Sequence, residues 1–352
     1  MKFTSKARRP RLFRGRAFQL IGGRAARALR RAAASGAVLS LLALLLAGCS
    51  GTPAFSYAQA SADSRYTFLN SSALSARAAE PFAQSLCVAA GDVEGSAPVD
   101  YSDVSAAALF DVGRGDVLSA RNIFTKLYPA SMTKVMTALL ALKHGQTDMM
   151  LTASDNVVMT EPGAQVCGIA PGDTMTLDQA LHLLLIYSAN DAAVMIAEGI
   201  GGSLDNFIAM MNEEARALGA TNTNFINSNG LNDENHYTTA YDMYLIFNEA
   251  VRYDLFKEII NMPSYSTVYH DEAGKEKELT VNSTNMYLQN VESAPQGVTV
   301  VGGKTGTTNA AGHCLILLVR DTSGNPYISI VMRAKDNDTM YEVMNALLEQ
   351  IP

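Results

Sequence analysis

Segments with strand character occur near both ends of this 352-residue chain, and segments with helix character lie between them. Apolar residues around 105–120 flank Gly113-Arg114-Gly115 and predict a β-hairpin. Helical spacing of apolar residues extends from 131 to about 252, and strands are predicted again from 264 to 333, before a helix from about Asp338. This order argues against a doubly wound βαβ fold. It predicts an α/β protein of the α+β type, in which an antiparallel sheet built from both chain ends packs with helices, next to a helical lobe.

Two of the predicted helices begin with a capping signal. Thr176 and Gln179 form one capping box, and Thr239 with Asp242 forms a second.

The first 48 residues have the pattern of a secretory signal. Residues 1–31 contain eleven Lys or Arg, and no acidic residue occurs before Asp63. An apolar stretch too short to span a bilayer follows, and it ends in Leu46-Ala47-Gly48-Cys49. This ending resembles a bacterial lipobox, which implies cleavage before Cys49 and lipid attachment to its sulfur. An ordinary signal peptide with a chance cysteine, or an uncleaved anchor, is the alternative.

Residues 49–80 are rich in Ser and Ala without clear periodicity, which predicts a flexible tether. The folded part is then 81–352, as one large domain or two interleaved lobes.

Without the signal, 16 basic residues remain against 34 acidic ones, a net charge near −18. Because nucleic-acid binding requires a basic surface, this charge argues against a nucleic-acid partner.

Three cysteines remain after Cys49, namely Cys87, Cys167 and Cys314. They contain no C-x-x-C pair, and the five histidines are scattered with no H-E-x-x-H, so neither a metal site nor a cofactor is predicted. Cys314 lies in an apolar segment and is predicted to be in the core. One disulfide among the three is possible outside the cell, but the sequence favours no pair.

The segment GVTVVGGKTGTT, residues 297–308, has the ending of a phosphate-binding loop in Gly303-Lys304-Thr305. The first glycine of such a loop would have to be residue 298, which is a valine. The β-branched run before Gly302 favours a strand over a tight anion-binding turn. Glycines on that strand would let another backbone or a ligand approach it closely.

Two further short motifs carry hydroxyl groups next to a lysine or an amide. Ser131 and Lys134 are spaced i, i+3 at a predicted helix start, which places both side chains on one face. Ser188 and Asn190 follow an apolar helix. Each alone is readily explained as a helix cap, since about one S-x-x-K is expected by chance in a chain of this length.

The combination S-x-x-K, S-x-N and K-T-G, in this order and at wide spacing, is the motif set of penicillin-binding proteins and class A β-lactamases. The sequence resembles the serine D-alanyl-D-alanine carboxypeptidases, the low-molecular-mass members of the penicillin-binding proteins. The likeness covers about residues 100–335 and rests on the segments YPASMTKVMTALLAL, LLIYSANDAAVMIAE, FINSNGLNDENHYTTAYD and GGKTGTTNAAGHC. It implies a penicillin-binding, β-lactamase-like transpeptidase fold.

The resemblance implies a serine acyl-enzyme mechanism without a cofactor. Ser131 would attack the carbonyl of the penultimate D-Ala of a peptidoglycan stem peptide and expel the terminal D-Ala. Lys134 would be the base if it is neutral, and both burial and the nearby Lys304 would lower its pKa. Ser188 would pass the proton to the leaving amine, and Asn190 would hold the substrate amide.

Lys304 and Thr305 would bind the terminal carboxylate of the substrate. The segment that contains them would therefore not be a phosphate-binding loop. Gly306 would let the peptide lie along the strand, and the backbone N–H groups of Ser131 and Thr307 would form the oxyanion hole. Relatives often carry a further arginine for the carboxylate.

In this sequence Arg333 and Lys335 are shifted from the position of that arginine, so its counterpart stays open. His236 is interpreted as a structural hydrogen-bonding residue.

Two alternatives remain beside a carboxypeptidase inhibited by β-lactams. A class A β-lactamase would need a glutamate followed four residues later by Asn, and Glu213, Glu214 and Glu234 lack that Asn. A β-lactam sensor or an inert wall-binding relative would be acylated only once. With lipidation at Cys49, the sequence predicts an enzyme anchored to the outer face of the bacterial cytoplasmic membrane.

Overall fold

A computed structural model describes residues 86–352. The predicted signal peptide, Cys49, the whole predicted tether and its boundary with the folded part lie outside these residues, so those predictions stay untested. No helix among residues 86–352 combines the length and the apolar character that a membrane crossing requires.

Five antiparallel strands form the central sheet, in the order β2-β1-β9-β8-β7. They are β1 (Ala106–Asp111), β2 (Asp116–Arg121), β7 (Thr299–Thr308), β8 (Gly312–Arg320) and β9 (Pro326–Ala334). The first strand pairs along its whole length with the last one. The prediction of an antiparallel sheet built from both chain ends is therefore confirmed.

The described part of the chain also contains seven α-helices. They are α1 (Lys134–His144), α2 (Leu177–His182), α3 (Asn190–Gly201), α4 (Leu204–Ala217), α5 (Ala240–Ala250), α6 (Asp254–Ile260) and α7 (Asn337–Leu348). The last begins one residue before the predicted Asp338 and is capped by Asp336.

The sheet lies between two apolar layers. Alternate residues of its strands, such as Ala108 and Ile330, join the core formed with α1, α3 and α5. The intervening residues, such as Leu109 and Val331, pack with α7. Because successive side chains of a strand point to opposite faces, strands buried on both sides read as unbroken apolar runs, as β8 does in the sequence.

Helix α1 lies inside the larger core and is buried from Lys134 to Ala141. A lysine at the start of an otherwise apolar buried helix is unusual, because burial of an ammonium group is costly. The fold thus places one cationic residue in the interior, next to the turn that carries Ser131.

One predicted capping box is complete and the other is not. Thr176 and Gln179 bond reciprocally at the start of α2. At α5, Thr239 accepts from the Asp242 backbone N–H, but the Asp242 carboxylate accepts from the Asn222 backbone N–H instead. The shorter aspartate side chain does not complete the box that a glutamate or glutamine forms.

A second, four-stranded sheet was not separated from the first in the sequence. It has the order β3-β4-β5-β6, formed by Met150–Thr152, Thr174–Thr176, Ser264–His270 and Glu276–Asn282. The hairpin of β5 and β6 is largely exposed. Its alternation of apolar and polar residues therefore does not show that it belongs to a sheet other than the central one.

The three described cysteines are free thiols. Cys314 is fully buried, as its apolar segment predicts.

Candidate active site

A cavity of about 740 Å³ collects six of the eight site residues that the sequence predicts within the fold. Its walls include Ser131, Ser188, Asn190, Thr305, Gly306 and Thr307. The other two, Lys134 and Lys304, are buried and do not line the cavity. The three motifs therefore meet at one place, although more than 170 residues separate the first from the last.

Ser131 lies in a single 3-10 turn, Ala130–Thr133, and the α-helix begins only at Lys134. The sequence predicts a serine at the helix start, and the 3-10 turn is the refinement that the structure adds. Ala130, just before the serine, has a φ of 47°, which is unfavourable for a residue with a Cβ. Such strain persists only where surrounding contacts hold it.

Lys134 connects three parts of the site through its amine. Its Nζ lies 2.9 Å from Ser131 Oγ, 2.7 Å from Asn190 Oδ1 and 2.6 Å from the Asn229 carbonyl oxygen. The two oxygens of Asn190 and Asn229 can only accept hydrogen bonds, whereas the serine hydroxyl can also donate.

These three partners match the hydrogen-bonding capacity of a neutral amine. Its two N–H groups would be donated to Asn190 and Asn229, which leaves the lone pair for the hydroxyl proton of Ser131. No carboxylate contacts the Nζ among the described residues. The contacts thus prepare Lys134 to accept a proton from Ser131.

The electrostatic surroundings act in the same direction. Burial lowers the pKa of Lys134 well below its usual value, and the positive charge of Lys304 lowers it further. Lys304 is itself buried, which lowers its own pKa to about 7. Both causes were predicted from the sequence for Lys134, and both operate in the structure.

The strained turn before Ser131 is held by residues distant in sequence. Thr133 Oγ1 donates to the Ala130 carbonyl oxygen at 2.8 Å. Gly230, with a φ of 86°, approaches the same carbonyl so closely that any Cβ there would overlap it. Only glycine combines this backbone angle with such close contact.

His236 extends this support and has a defined tautomer. Its Nδ1 accepts from the Ile226 backbone N–H at 3.1 Å, so in the neutral ring Nε2 carries the proton. Nε2 lies 2.8 Å from Thr133 Oγ1 and can donate to it, since that hydroxyl donates onward to Ala130. Burial lowers the pKa of His236 to about 4, which favours the neutral ring.

Ser188 and Asn190 lie on either side of a sharp turn. Ser188 has a φ of 69° and ends the helical segment that continues from α2 as a π-turn, and Asn190 begins α3. Both side chains line the cavity. While Asn190 Oδ1 accepts from Lys134, its Nδ2 has no acceptor among residues 86–352 and so remains available to a ligand.

Strand β7 forms the opposite wall, and Gly306 is where it meets the Ser131 turn. A Cβ at Gly306 would lie 2.9 Å from the Ser131 backbone nitrogen and 3.0 Å from the Pro129 carbonyl oxygen. A side chain there would push the two backbones apart. On the same strand, Lys304 Nζ donates to the Thr305 carbonyl oxygen at 2.9 Å.

Sequence reasoning missed several residues that complete the site. Asn229 supplies a carbonyl to Lys134, and the Asn229-Gly230 dipeptide is the turn signal that would have indicated a special backbone there. Gln165 and Asp191 fasten a loop beside Ser188 through backbone contacts. Neither belongs to a recognisable motif, so no sequence signal identifies them.

The two basic residues left open in the sequence lie elsewhere. Arg333 and Lys335 line a neighbouring cavity that shares Asn309 and Ala310 with the main one. Within residues 86–352 no group of three or more His, Cys, Asp or Glu residues is placed to hold a metal ion.

An antiparallel sheet flanked by helices, with a serine in a 3-10 turn and a buried lysine at the start of the helix that follows, is the architecture of the penicillin-binding proteins. The structure matches a mutant of the Streptomyces K15 DD-transpeptidase over 70% of this chain and 97% of that chain, with a TM-score of 0.65 and 23% identity. The sequence profile of the D-alanyl-D-alanine carboxypeptidases, peptidase family S11, matches residues 94–336, and the chain belongs to this family.

Relatives with higher identity carry the same family name. D-alanyl-D-alanine carboxypeptidase DacF of Bacillus subtilis is 35% identical over 60% of this chain, and DacC of Escherichia coli is 34% identical over 70% of it. The match covers 53% and 60% of those proteins, so the chain spans little more than half the length of the curated relatives that it matches. A carboxypeptidase structure from Mycobacterium tuberculosis is 27% identical, with a TM-score of 0.64 over 74% of this chain and 95% of that chain.

Proposed function

We propose that this protein is a serine-type D-alanyl-D-alanine carboxypeptidase that removes the terminal D-Ala from peptidoglycan stem pentapeptides and is inhibited by β-lactams. The observation that carries the proposal is the buried Lys134, whose amine contacts Ser131 Oγ and is placed to take its proton. Family membership supports the same reaction.

In the acylation step Ser131 Oγ bonds to the carbonyl carbon of the penultimate D-Ala while its proton passes to Lys134. The oxyanion that forms is stabilised by the backbone N–H groups of Ser131 and Thr307. The bond to the terminal D-Ala then breaks, and Ser188 relays a proton to the departing amine. Water hydrolyses the acyl-enzyme and regenerates the Ser131 hydroxyl.

Substrate binding uses the wall formed by β7. The peptide lies along the strand, where Gly306 leaves room, and its amide is held by Asn190. Its terminal carboxylate faces Thr305, with the buried Lys304 next to it on the strand. Because Lys304 is buried, it contacts the carboxylate only after a short side-chain movement. Without that movement it acts on the carboxylate through its electric field alone.

The proposal is tested by the intact mass of the purified full chain after addition of benzylpenicillin, with Ser131→Ala alongside. We expect a stable gain of one penicillin molecule, since ring opening loses no atoms, and none in the variant. A D-Ala release assay on diacetyl-L-Lys-D-Ala-D-Ala should then show many turnovers. Absence of an adduct overturns the mechanism.

The same experiment separates the two alternatives. A single stable acylation without D-Ala release would indicate a β-lactam sensor or an inert relative. An adduct that disappears within seconds while penicillin is consumed would indicate a β-lactamase.

Location is the second part of the proposal. Residues 1–48 would be a lipoprotein signal peptide, 49–80 a tether and 81–352 the catalytic domain, anchored by lipid on Cys49 to the outer face of the cytoplasmic membrane. The sequence Leu46-Ala47-Gly48-Cys49 after an apolar stretch supports it. Labelled fatty acid should enter the wild-type chain and not Cys49→Ala; equal labelling of both contradicts lipidation at this residue.

A further inference from the structure

Glu161 is the only residue with a charged side chain at neutral pH among the described residues that line the cavity. The basic side chains of the site are Lys134 and Lys304, which are buried and do not line the cavity. The cavity thus has the basic Lys304 on its β7 side and a single carboxylate on the loop that precedes Gln165. This distribution is suited to a ligand that carries both a carboxylate and a cation.

The position of Glu161 is set by a β-turn. The Ala164 backbone N–H donates to the Glu161 carbonyl oxygen at 3.1 Å. Pro162 and Gly163 occupy the two central positions, and Gly163 has a φ of 79°. Proline followed by a glycine with positive φ is the pattern of a type II turn, in which both residues are conformationally favoured.

The turn is fastened directly to the catalytic side of the cavity. The Gln165 carbonyl oxygen accepts from the Asn190 backbone N–H at 2.8 Å, and its side-chain amide donates to the Tyr187 carbonyl oxygen. The buried carboxylate of Asp191 accepts from the Ile169 backbone N–H at 3.0 Å. The carboxylate presented by the turn therefore has a defined place relative to the residues on both sides of Ser188.

The Glu161 carboxylate is not used within the fold. The residue is exposed, and its side chain forms no ion pair or hydrogen bond with any of residues 86–352. The nearby acidic group, Asp191, is fully engaged by backbone N–H groups and does not line the cavity. Glu161 is thus the free negative charge of this cavity within the described part of the chain.

We infer that Glu161 selects peptides that carry an amino cation on the side chain just before the D-Ala pair, as a diamino acid at the third position of a stem peptide would. This inference rests on the proposed carboxypeptidase function. A cavity of about 740 Å³ is large enough for a ligand well beyond two alanines, so the preceding residue enters it. With the terminal carboxylate toward Lys304, the side-chain cation would meet Glu161, the one acidic group of the described lining.

The test compares three peptides Nα-acetyl-L-Lys-D-Ala-D-Ala that differ only at the ε-amine, which is free, acetylated or succinylated. Their side chains carry a positive charge, no charge and a negative charge. For the purified full chain, we expect kcat/KM for D-Ala release to fall in that order, by about two- to fivefold per step at low ionic strength. Salt should reduce the differences because the pair is exposed to solvent.

Variants assign the preference to this carboxylate. Glu161→Gln should remove the discrimination, and Glu161→Lys should favour the succinylated peptide. Glu278→Gln, which neutralises an exposed carboxylate on β6 outside the cavity, should leave the wild-type order unchanged. Rates of acylation by benzylpenicillin, which lacks the lysine side chain, should be the same in Glu278→Gln as in the wild-type chain.

Three outcomes overturn the inference, and they differ in what else they overturn. Equal release from the three peptides by the wild-type chain leaves the carboxypeptidase function intact and refutes the role of Glu161. Absence of release from all three peptides refutes the proposed function, and the inference is lost with it. Discrimination that survives in Glu161→Gln also refutes the assignment.

Discussion

Lys134 Nζ lies 2.9 Å from Ser131 Oγ, with its two remaining polar contacts on oxygens that can only accept hydrogen bonds. Replacement of one basic side chain by another therefore distinguishes a proton acceptor from a mere positive charge. The guanidinium of arginine stays protonated in proteins, whereas a buried lysine can become neutral.

Lys134→Met and Lys134→Arg are both expected to slow acylation by benzylpenicillin about 10²- to 10⁴-fold, because neither residue accepts the Ser131 proton. The measurement is the rate of adduct formation by intact mass. Lys143→Met on the same helix, where the lysine pairs with Glu214 near the surface, is the matched control. Rapid acylation of the arginine variant would show that Lys134 acts through charge alone.

Gly306→Ala tests the contact between β7 and the Ser131 turn. The added Cβ would lie 2.9 Å from the Ser131 nitrogen, so the strand and the turn must separate by a few tenths of an ångström. Since misplacement of about 1 Å can cost about 10²-fold in rate, we expect acylation to fall about 10- to 100-fold. Thermal unfolding should change far less.

The control for that substitution is Gly91→Ala, because a Cβ at Gly91 would meet nothing within 4 Å. Unchanged acylation in Gly306→Ala would mean that the close approach of the two backbones has no part in the reaction.

Lys304→Met tests the influence of one buried lysine on the other. Lys304, with a pKa of about 7, carries positive charge at and below neutral pH and lowers the pKa of Lys134. Without that charge the pKa of Lys134 rises, so a higher pH is needed to obtain the neutral amine. The acid limb of the acylation rate should therefore move to higher pH.

The matched control is Lys275→Met, which removes an exposed lysine away from the cavity and should leave the pH profile in place. A limb that moves to lower pH in Lys304→Met would contradict the sign of the interaction.

His236 predicts a loss of stability in mild acid. Burial lowers its pKa from the usual value of 6.5 to about 4, so below pH 6.5 the unfolded chain binds a proton that the folded chain does not. The free energy of unfolding therefore falls as the pH is lowered from 6.5 to 4, by on the order of 3 kcal/mol from this residue alone. Urea unfolding of the full chain across this range measures it.

His236→Gln cannot be protonated, so the stability difference between wild type and this variant should narrow as the pH falls from 6.5 to 4. The exposed His144 provides the comparison, and His144→Gln should keep the wild-type slope. A constant difference between wild type and His236→Gln at all pH values would show that the ring has the same pKa in the folded and unfolded chains.

The sequence allowed the central sheet to be predicted because β8 and β9 are apolar on both faces and β1 lies in an equally apolar hairpin. That the three motifs would meet at one place was predicted because short motifs that are each common alone occur here together in one fixed order. That the β5–β6 hairpin belongs to a separate sheet was not predictable, since its largely exposed residues do not indicate which strand it pairs with.

Residues that act through their backbone left no signal. Asn229 contacts Lys134 by its carbonyl oxygen, which every residue has, and Gln165 meets Asn190 in the same way. The unusual φ of Ala130 could not be predicted from the sequence either. It is imposed by contacts with Gly230 and Thr133 and not by the residue type at this position. His236 was interpreted as a hydrogen-bonding residue, and its two ring contacts agree with that interpretation.

The pairing of the first strand with the last one has a temporal consequence. Ser329 on β9 donates to the carbonyl of Ala108 on β1, across 221 positions of sequence. During synthesis one edge of the N-terminal hairpin stays unpaired until almost the whole chain has been made. Ser131 and Lys134 are made early, but the sheet beside them is complete only once β9 has been made, so we expect a chain truncated before β9 to lack the assembled cavity.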